Sequence, residues 1–464
     1  MPKPQQQIFV CTACDAQSPK WTGQCLECGA WGTMQPARAD YRAASPASGP
    51  AAAPKLSELK TVPSGNSDRT ASGIGEVDRV FGGGIVAGSV TLLGGEPGIG
   101  KSTLALMLGA SLAGGPGRKV VYVSGEESGA QIRMRADRLR LPTEGIFFLA
   151  ETAVERICAA LEKERPVLAV IDSVQTIYSE DIPSEAGALN QVRGAAAKLS
   201  ACAKRTGIPL LLIGHVTKDG QVAGPKTLEH LVDAVFSFEG ERSHPLRVLR
   251  SLKNRFGSTD ETGMFDMSED GLKEVKNPSA YLLDERRAGL PGSVISCVIE
   301  GTRPILVEIQ ALVQRTAFGY PTRRASGFDQ SRLEMLIAVL FRRGGIDLSQ
   351  HDVYVNVIGG LKVKEPAADL AVIAALASAA RNAALPDGLA VWGEVGLGGE
   401  VRSVIAADRR LAEAAKLGIK KVMTALPRSA QLKKVQGLAL TDVRTVRDAV
   451  AAIAARQPAA DKNR

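Results

Sequence analysis

Four short apolar runs lie in the first half of the chain, and each ends in polar or glycine-rich sequence. They cover residues 89–93, 120–123, 167–171 and 210–213. Strands of a parallel sheet are buried on both faces, so they read as continuous apolar runs rather than alternating ones. The first run leads into a helical pattern at Leu104, Leu108 and Leu112. The pattern predicts an α/β domain built on a parallel sheet.

The pattern changes from about residue 277 onward. Apolar positions come in two alternating stretches, 294–298 and 305–309, which predict strands of a second sheet. Helical spacing over 329–342, 366–381 and 406–417 predicts three helices. The C-terminal part is therefore expected to be a second α/β domain.

One segment, residues 35–67, shows no sustained periodicity and is rich in Ala, Pro, Ser and Gly. Such a composition is typical of a flexible linker. We therefore expect four parts, namely a module over 1–34, a linker over 35–67, and two domains over 68–276 and 277–464.

Composition excludes several classes of protein. Of 464 residues, 45% are hydrophobic and 23% are charged, which excludes wholesale disorder. No run of 18 uncharged apolar residues occurs, so no membrane span is expected. The first ten residues lack a secretory signal pattern, which favours a cytoplasmic protein. A net charge of +8 is compatible with nucleic acid without requiring it, and 4% aromatic residues are too few for base stacking to dominate.

The N-terminal module contains four cysteines with the spacing C-x2-C-x10-C-x2-C. They are Cys11, Cys14, Cys25 and Cys28. Two such pairs aim four thiolates at one tetrahedral ion, which predicts a closed, structural Zn²⁺ site. The alternatives are a redox pair or disulfides, and a cytoplasmic location disfavours stable disulfides. Trp21 and Trp31 are expected to pack around the metal.

A phosphate-binding motif follows the first apolar run. Residues 95–102 fit G-x-x-x-x-G-K-[ST] between a predicted strand and a predicted helix. Backbone N–H groups of such a loop wrap phosphates, Lys101 reaches the outer phosphates, and Ser102 can ligate Mg²⁺. The expected ATP contacts are Gly95, Glu96, Pro97, Gly98, Ile99, Gly100, Lys101, Ser102 and Thr103.

Polar residues follow three of the other predicted strands. Asp172 is the predicted Mg²⁺ residue, and Glu126 is the predicted acid that orients and deprotonates water, with Glu127 as the second choice. His215 is expected to sense the outer phosphate. The alternatives are a solvated turn for the two glutamates, a helix cap for Asp172, and an ordinary strand-end histidine for His215.

Residues 68–275 resemble a RecA-type ATPase core. Together with the cysteine module and the phosphate loop, a pentapeptide completes a resemblance to the RadA (Sms) family of bacterial DNA repair proteins over essentially the whole chain. The pentapeptide consists of Lys253, Asn254, Arg255, Phe256 and Gly257.

The pentapeptide follows a strand-like run over 246–252, which would put Lys253 and Arg255 on one face of a strand end. Two cations there suit phosphate, either of DNA or of ATP on a neighbouring subunit. The resemblance implies that the motif couples ATP hydrolysis to DNA-linked activity. The alternative is an ordinary exposed basic turn.

Two further segments match the DNA-binding loops of RecA-type proteins by resemblance. They are residues 179–188 and 216–228, and the second contains Lys218 and Lys226. Lysines on glycine-bearing loops suit contacts to the phosphate backbone, which carry little sequence information. The alternative is a pair of solvated loops.

The C-terminal part resembles the proteolytic domain of the Lon family at 308–312, 352–356 and 418–422. Lon proteases use a serine in a Pro-Ser-Ala-Gly segment, which here reads Pro366-Ala367-Ala368-Asp369, and a lysine that falls near Asp408-Arg409-Arg410. Alanine has no nucleophilic oxygen and arginine does not readily release its proton, so no protease activity is expected.

We interpret this domain as a Lon-like scaffold for assembly and DNA handling, and the resemblance implies that it forms a ring. Several arginines lie around its first predicted helix. They either face DNA or form a solvated basic surface, and the solvated surface is the favoured alternative. They are Arg315, Arg323, Arg324, Arg342 and Arg343.

These observations lead to one expected function and two alternatives. The expected function is a DNA-dependent ATPase that moves on single-stranded DNA and promotes branch migration of recombination intermediates. Its expected catalytic residues are Lys101, Glu126, Asp172, Lys253 and Arg255. Its expected cofactors are ATP, Mg²⁺ and Zn²⁺, and its expected partners are single-stranded and branched DNA, the RecA recombinase and further copies of itself in a hexameric ring. The alternatives are an ATP-dependent protease and a nucleotide-switched DNA clamp.

Overall fold

The computed structural model describes residues 9–11, 17–18, 20–25, 29–36, 58, 60, 69–214, 228–241, 244–317, 319–427 and 435–454. These residues form two compact units. The first unit comprises the described parts of Met1–Gly73, Gly84–Pro97 and Leu104–Val235. The second comprises the described parts of Ile74–Gly83, Gly98–Thr103 and Phe236–Arg464.

Helices and strands are numbered in chain order. Up to residue 213 they are β1 (Phe9–Cys11), β2 (Gln17–Ser18), β3 (Met34–Pro36), β4 (Arg69–Thr70), α1 (Gly75–Phe81), β5 (Ile85–Val86), β6 (Val90–Gly94), α2 (Lys101–Ala113), β7 (Val120–Ser124), α3 (Gly129–Arg138), β8 (Ile146–Leu149), α4 (Val154–Glu164), β9 (Leu168–Asp172), α5 (Leu189–Thr206) and β10 (Leu210–Ile213).

From residue 234 they are β11 (Ala234–Gly240), β12 (Leu246–Asn254), β13 (Thr262–Ser268), β14 (Gly271–Glu274), α6 (Pro278–Leu283), β15 (Ser293–Glu300), β16 (Arg303–Arg315), β17 (Arg323–Ser326), α7 (Gln330–Val339), β18 (His351–Val357), α8 (Asp369–Ala380), β19 (Leu389–Val391), β20 (Glu394–Val395), β21 (Val401–Arg402), α9 (Ala407–Lys416), β22 (Lys421–Thr424), β23 (Ala439–Asp442) and α10 (Val446–Ala454).

The N-terminal module is a three-stranded antiparallel sheet in the order β2-β1-β3. Cys11, Cys25 and Met34 form its small buried core. The prediction that Trp21 and Trp31 pack around the cysteines is wrong, because the two residues are 60% and 75% exposed.

The described core of the module is small and consists of the Cys11 and Cys25 side chains and Met34. The Trp21 indole N–H instead donates to the Met34 carbonyl at 3.1 Å, and Gly23 lies beside the edges of both tryptophan rings. The rings therefore cover the outside of the module.

The first unit is built on five parallel strands in the order β8-β7-β9-β10-β6. Strands β6, β7, β9 and β10 are buried along their whole length, which is why they read as continuous apolar runs. Leu93 of β6 pairs with Ile213, Ile213 pairs with Asp172, and Asp172 pairs with Ser124. The carboxyl ends of four strands thus meet at one edge of the sheet.

The second unit contains two sheet regions. Strands β11 to β14 are consecutive neighbours, and α1 packs on β12 and β13. The other is a mixed seven-stranded sheet in the order β17-β18-β16-β15-β19-β22-β23, with the apolar helix α8 lying against β16 and β15. The first ten residues of α8 are all buried, so α8 forms the centre of this core.

The α/β class predicted from the pattern is confirmed, including all four apolar strands of the first unit. Several boundaries differ, including those of β12 and α7. Strand β12 continues through Lys253 and Asn254, two residues beyond the predicted run. Helix α7 ends at Val339 and continues as a π-helical turn over Leu340–Gly344, where the prediction was one helix to residue 342. Within the described residues, no helix has the length and apolar character needed to cross a bilayer.

Candidate active site

The phosphate-binding motif forms a loop between β6 and α2. Strand β6 ends at Gly94 and α2 begins at Lys101, so the loop opens onto a helix N-terminus. Gly98 and Gly100 have φ of 77° and 111°, which favour glycine over residues with side chains. Glu96, Pro97 and Gly98 are exposed, whereas Lys101 is only 4% exposed. This strand–loop–helix geometry fits a bound polyphosphate.

Asp172 lies at the carboxyl end of β9, two strands away from β6. It is 8% exposed, and the Tyr122 hydroxyl donates to its Oδ2 at 2.6 Å. Burial, and next the charge of Asp172, raise the pKa of Tyr122 well above its usual range, so Tyr122 remains a hydrogen-bond donor. A carboxylate and a hydroxyl are oxygen donors of the kind that Mg²⁺ prefers, so Asp172 and Ser102 fit the predicted ion by their chemistry.

The turn after β7 carries two glutamates with different partners. Ser124 Oγ accepts from the backbone N–H groups of Glu126 at 3.3 Å and Glu127 at 3.0 Å, which shapes the turn. Ser173 Oγ, just after β9, donates to Glu126 Oε1 at 2.5 Å. Glu127 instead forms an ion pair with Arg135 of α3. Glu126 therefore lies beside the end of the neighbouring strand, while the Glu127 carboxylate is engaged elsewhere.

The segment 179–188 is held by side chains of α4 and α5. Gln191 Nε2 donates to the carbonyls of Ser179, Ile182 and Ser184 at 2.8 to 3.2 Å. Ser179 Oγ also donates to Glu155 at 2.7 Å. Ser179 at the start of this segment is therefore buried and held by its neighbours, whereas Glu180, Asp181 and Pro183 are exposed.

Several predicted site residues lie outside the described residues. They are Cys14, Cys28, His215, Lys218 and Lys226. The predictions made for them stay predictions.

The two described cysteines of the module lie in one buried cluster, with Cys11 0% and Cys25 2% exposed. The Cys25 carbonyl accepts from Gly29 N at 2.9 Å, and Gly29 has a φ of 70°, as a tight turn after a ligand pair requires. Thiolates are preferred zinc ligands, so the residues present fit a structural metal.

The pentapeptide begins in β12 and ends in a turn against α1. Asn254 Oδ1 accepts from Phe256 N at 2.9 Å, and Asn254 Nδ2 donates to the Val80 carbonyl at 3.4 Å. A Cβ on Gly257 would lie 3.1 Å from the Cα of Gly82, just beyond the end of α1. Asn254 and Gly257 thus seat the turn on the helix end. Lys253 belongs to β12, and the exposed Arg255 is the first residue of the turn that follows the strand.

At the Lon-like nucleophile position, Ala367 and Ala368 are 1% and 0% exposed in a short 3-10 turn before α8. The next residue, Asp369, is fully buried and pairs with Arg332 through both carboxylate oxygens. No hydroxyl or thiol stands at these three positions.

Arg410 occupies the region where the lysine partner is expected. It is 0% exposed, forms an ion pair with Glu365, and donates to the carbonyls of Ile405 at 3.0 Å and Cys297. Burial raises the pKa of the neighbouring Cys297 thiol to about 12, which keeps that thiol protonated. The region is therefore a closed ion-pair network.

The basic residues around α7 lie at the surface of the seven-stranded sheet and its flanking helix. All are exposed except Arg323, which is partly buried in β17. The exposed members are Arg315, Arg324, Arg342 and Arg343.

One buried residue escaped the sequence-based prediction. Arg247, near the start of β12, is 6% exposed, and its Nε donates to the Ile99 carbonyl of the phosphate loop at 3.3 Å. The run over 246–252 reads Leu-Arg-Val-Leu-Arg-Ser-Leu, and nothing local distinguishes the buried Arg247 from the partly exposed Arg250.

These features define a P-loop ATPase with an added metal-binding module. They are the phosphate loop, the acidic residues at the carboxyl ends of parallel strands, and the cysteine module. Comparison with known families agrees with this class. The AAA domain matches residues 53–221, the rubredoxin metal binding domain matches 9–36, and the Lon protease (S16) C-terminal proteolytic domain matches 341–452.

The relatives that match almost the whole chain include DNA repair protein RadA from three bacteria. The Bacillus subtilis protein is 46% identical over 447 residues, which cover 95% of this chain and 97% of the relative. The Pseudomonas aeruginosa protein is 48% identical, covering 91% and 93% of the two chains, and the Escherichia coli protein is 44% identical, covering 97% and 99%. The chain belongs to the RadA family of DNA repair proteins.

Proposed function

We propose that this ATPase moves along single-stranded DNA and drives branch migration of recombination intermediates. The relatives are named for DNA repair, which supports a role of this chain in repair. The observation that carries the ATPase part is the contact between Ser173 Oγ and Glu126 Oε1, which brings an acid to the edge of the sheet where β6 delivers the phosphate loop. A protein that only senses nucleotide needs no acid there.

Each residue of this edge has a role in the proposal. Lys101 and the loop N–H groups bind phosphates, while Ser102 and Asp172 hold Mg²⁺. Bound ATP would supply the phosphoanhydride bond, and its Mg²⁺ would offset the negative charge of the phosphates. Glu126 orients the attacking water and accepts its proton, and Tyr122 fixes the Asp172 carboxylate through its 2.6 Å hydrogen bond.

The DNA-linked part of the proposal uses the pentapeptide and the loops. Lys253 and Arg255 stabilise charge on nucleotide held by a neighbouring subunit, which couples subunits in a hexameric ring. Residues 179–188 and the segment with Lys218 and Lys226 contact the DNA backbone, and His215 reports the outer phosphate to the second segment. RecA is the proposed protein partner.

We also propose the domain bounds 68–276 and 277–464, and no peptide hydrolysis by the second of these. Ala367 lacks a nucleophilic oxygen, and Arg410 is committed to Glu365. Both observations weigh against the alternative of an ATP-dependent protease.

The test is ATP hydrolysis by the purified full chain with and without single-stranded DNA. A Lys101→Ala variant is the control, because it removes the phosphate-binding ammonium from the loop. We expect DNA to stimulate hydrolysis several-fold and the variant to abolish both rates.

Two other results would change the conclusion. An ATP hydrolysis rate that no tested DNA changes would contradict the proposal that the protein is a DNA motor. Tight DNA binding with nucleotide bound but without turnover would favour the nucleotide-switched clamp.

A further inference from the structure

The buried Arg247 ties the phosphate loop to the turn between β11 and β12. Its Nε donates to the Ile99 carbonyl at 3.3 Å. Its Nη1 donates to the carbonyls of Glu241 and Leu246, both at 3.0 Å, and of His244 at 2.5 Å. One guanidinium therefore connects a loop carbonyl to a turn that lies far away in the sequence.

All of these acceptors are neutral. In the described part of the chain, Arg247 forms no ion pair, although the charge of Asp266 acts to raise the pKa of the guanidinium. Burial lowers the pKa of the guanidinium, but arginine remains charged in proteins. A buried cation without a carboxylate partner is costly, and its positive charge stays available to a nearby anion.

The inner side of the phosphate loop is packed tightly against β11 and β13. Ile99 is 3% exposed. A Cβ on Gly100 would overlap the Cε of Met267 in β13 and lie 3.4 Å from Phe238 in β11. The loop backbone therefore packs closely against these strands, and the Arg247 hydrogen bond holds the Ile99 carbonyl in that position.

We propose that Arg247 is a positioning residue for the nucleotide phosphates. By holding the Ile99 carbonyl in place, it keeps the following loop N–H groups and Lys101 positioned to bind phosphates, and its positive charge adds to the attraction for a nucleoside polyphosphate. The inference rests on the nucleotide binding of the proposed function and not on its DNA motor.

Arg247 also shares a strand with the pentapeptide. Lys253 is six residues further along β12 on the same face, at about 20 Å for an extended strand. One continuous strand thus joins Arg247, which contacts the phosphate loop, to the pentapeptide turn, which is proposed to act at the neighbouring subunit.

The test compares three full-length variants by binding of fluorescent mant-ADP with Mg²⁺ and without DNA. In Arg247→Gln the charge and the Nε donor are lost, so Kd should rise about tenfold. Arg247→Lys keeps the charge with fewer donors, so Kd should rise about threefold. Arg250→Gln is the matched control, since Arg250 lies on the same strand but pairs with Glu239 and Glu300, and its Kd should change less than about twofold.

Steady-state kinetics supply a readout that a merely structural role would not move. The KM for ATP should rise in step with Kd, while kcat changes much less, because the Arg247 bond holds the loop before and after the chemical step. Thermal unfolding shows which variants are folded. If Arg247→Gln does not fold, the Kd of Arg247→Lys tests the inference instead.

Wild-type affinity in either folded Arg247 variant would overturn the inference, as would an equal loss in Arg250→Gln. Failure of the unmutated chain to bind mant-ADP would overturn the proposed function as well, so the two failures can be told apart.

Discussion

At the residue scale, the main prediction concerns the two glutamates after β7. Replacement of Glu126 by Gln should lower kcat for ATP hydrolysis by at least about a hundredfold, because a positioned general base contributes that much or more. Replacement of Glu127 by Gln should change kcat less than about fivefold, since its carboxylate is committed to Arg135. Phosphate release at saturating ATP measures both, with mant-ADP binding to show that each variant still holds nucleotide. A larger loss in the Glu127 variant would contradict the assignment.

A second residue-scale prediction concerns acid stability. Burial acts to raise the pKa of Glu155, but the hydrogen bonds from Lys198 and Ser179 outweigh it and lower the pKa from 4.5 to about 2. The folded state therefore binds this proton more weakly than the unfolded state does, so the carboxylate stabilises the fold above about pH 4.5 and loses that effect as the pH falls toward 2.

The measurement is the thermal midpoint of the unmutated chain and of Glu155→Gln between pH 7 and pH 3. The difference should be largest at pH 7 and should shrink below about pH 4.5. Glu144→Gln changes the same charge at an exposed position and should show little difference at any pH. A constant difference across the range would argue against the Glu155 interactions as its cause.

At the element scale, the Lon-like unit offers a test of its buried ion pair. Arg410→Met at the start of α9 leaves Glu365 without its cation, which should lower the free energy of unfolding by about 3–5 kcal/mol. Arg409→Met is the matched control, because Arg409 is exposed and, within the described part of the chain, makes one hydrogen bond, to the Thr302 carbonyl at 3.2 Å. It should cost no more than about 0.5 kcal/mol.

Urea unfolding followed by tryptophan fluorescence reports on this site. Trp392 is 1% exposed and packs in the same cluster as Cys297 and Leu411, whereas the other two tryptophans, Trp21 and Trp31, are largely exposed. Equal effects of the two arginine variants would show that the ion pair is not what stabilises this region.

The elements themselves were largely predictable. Strands β6, β7, β9 and β10 are recognisable because a strand covered on both faces must be apolar throughout. The end of β12 was missed by two residues, since Lys253 and Asn254 carry no strand signal of their own and join the strand only through their place in the fold. Tertiary contacts override local propensity at such ends.

At the scale of the whole molecule, the metal-binding module is the part most open to test. The full chain should contain about one zinc per chain, and Cys25→Ser should lose it, because a four-thiolate shell does not survive with three ligands. Cys158→Ser removes a cysteine of α4 and should keep the metal. Elemental analysis for both zinc and iron decides, and iron in place of zinc would contradict the predicted ion.

The sequence by itself determined the chemistry that is contiguous in the chain. Residues 95–102 carry the phosphate loop in one stretch, the cysteine spacing predicts a metal, and Ala367 in the Lon-like segment has no nucleophilic oxygen. Such signals need only short-range geometry, so they can be read without a fold.

The tertiary structure alone decided the partners of those residues. It brings Ser173 into hydrogen-bond contact with Glu126, 47 residues away in the sequence, and Arg247 into contact with Ile99, 148 residues away. It also leaves Trp21 and Trp31 exposed. Contacts across such separations depend on which strands become neighbours and how tightly the core closes. No local pattern of apolar and polar residues encodes that information.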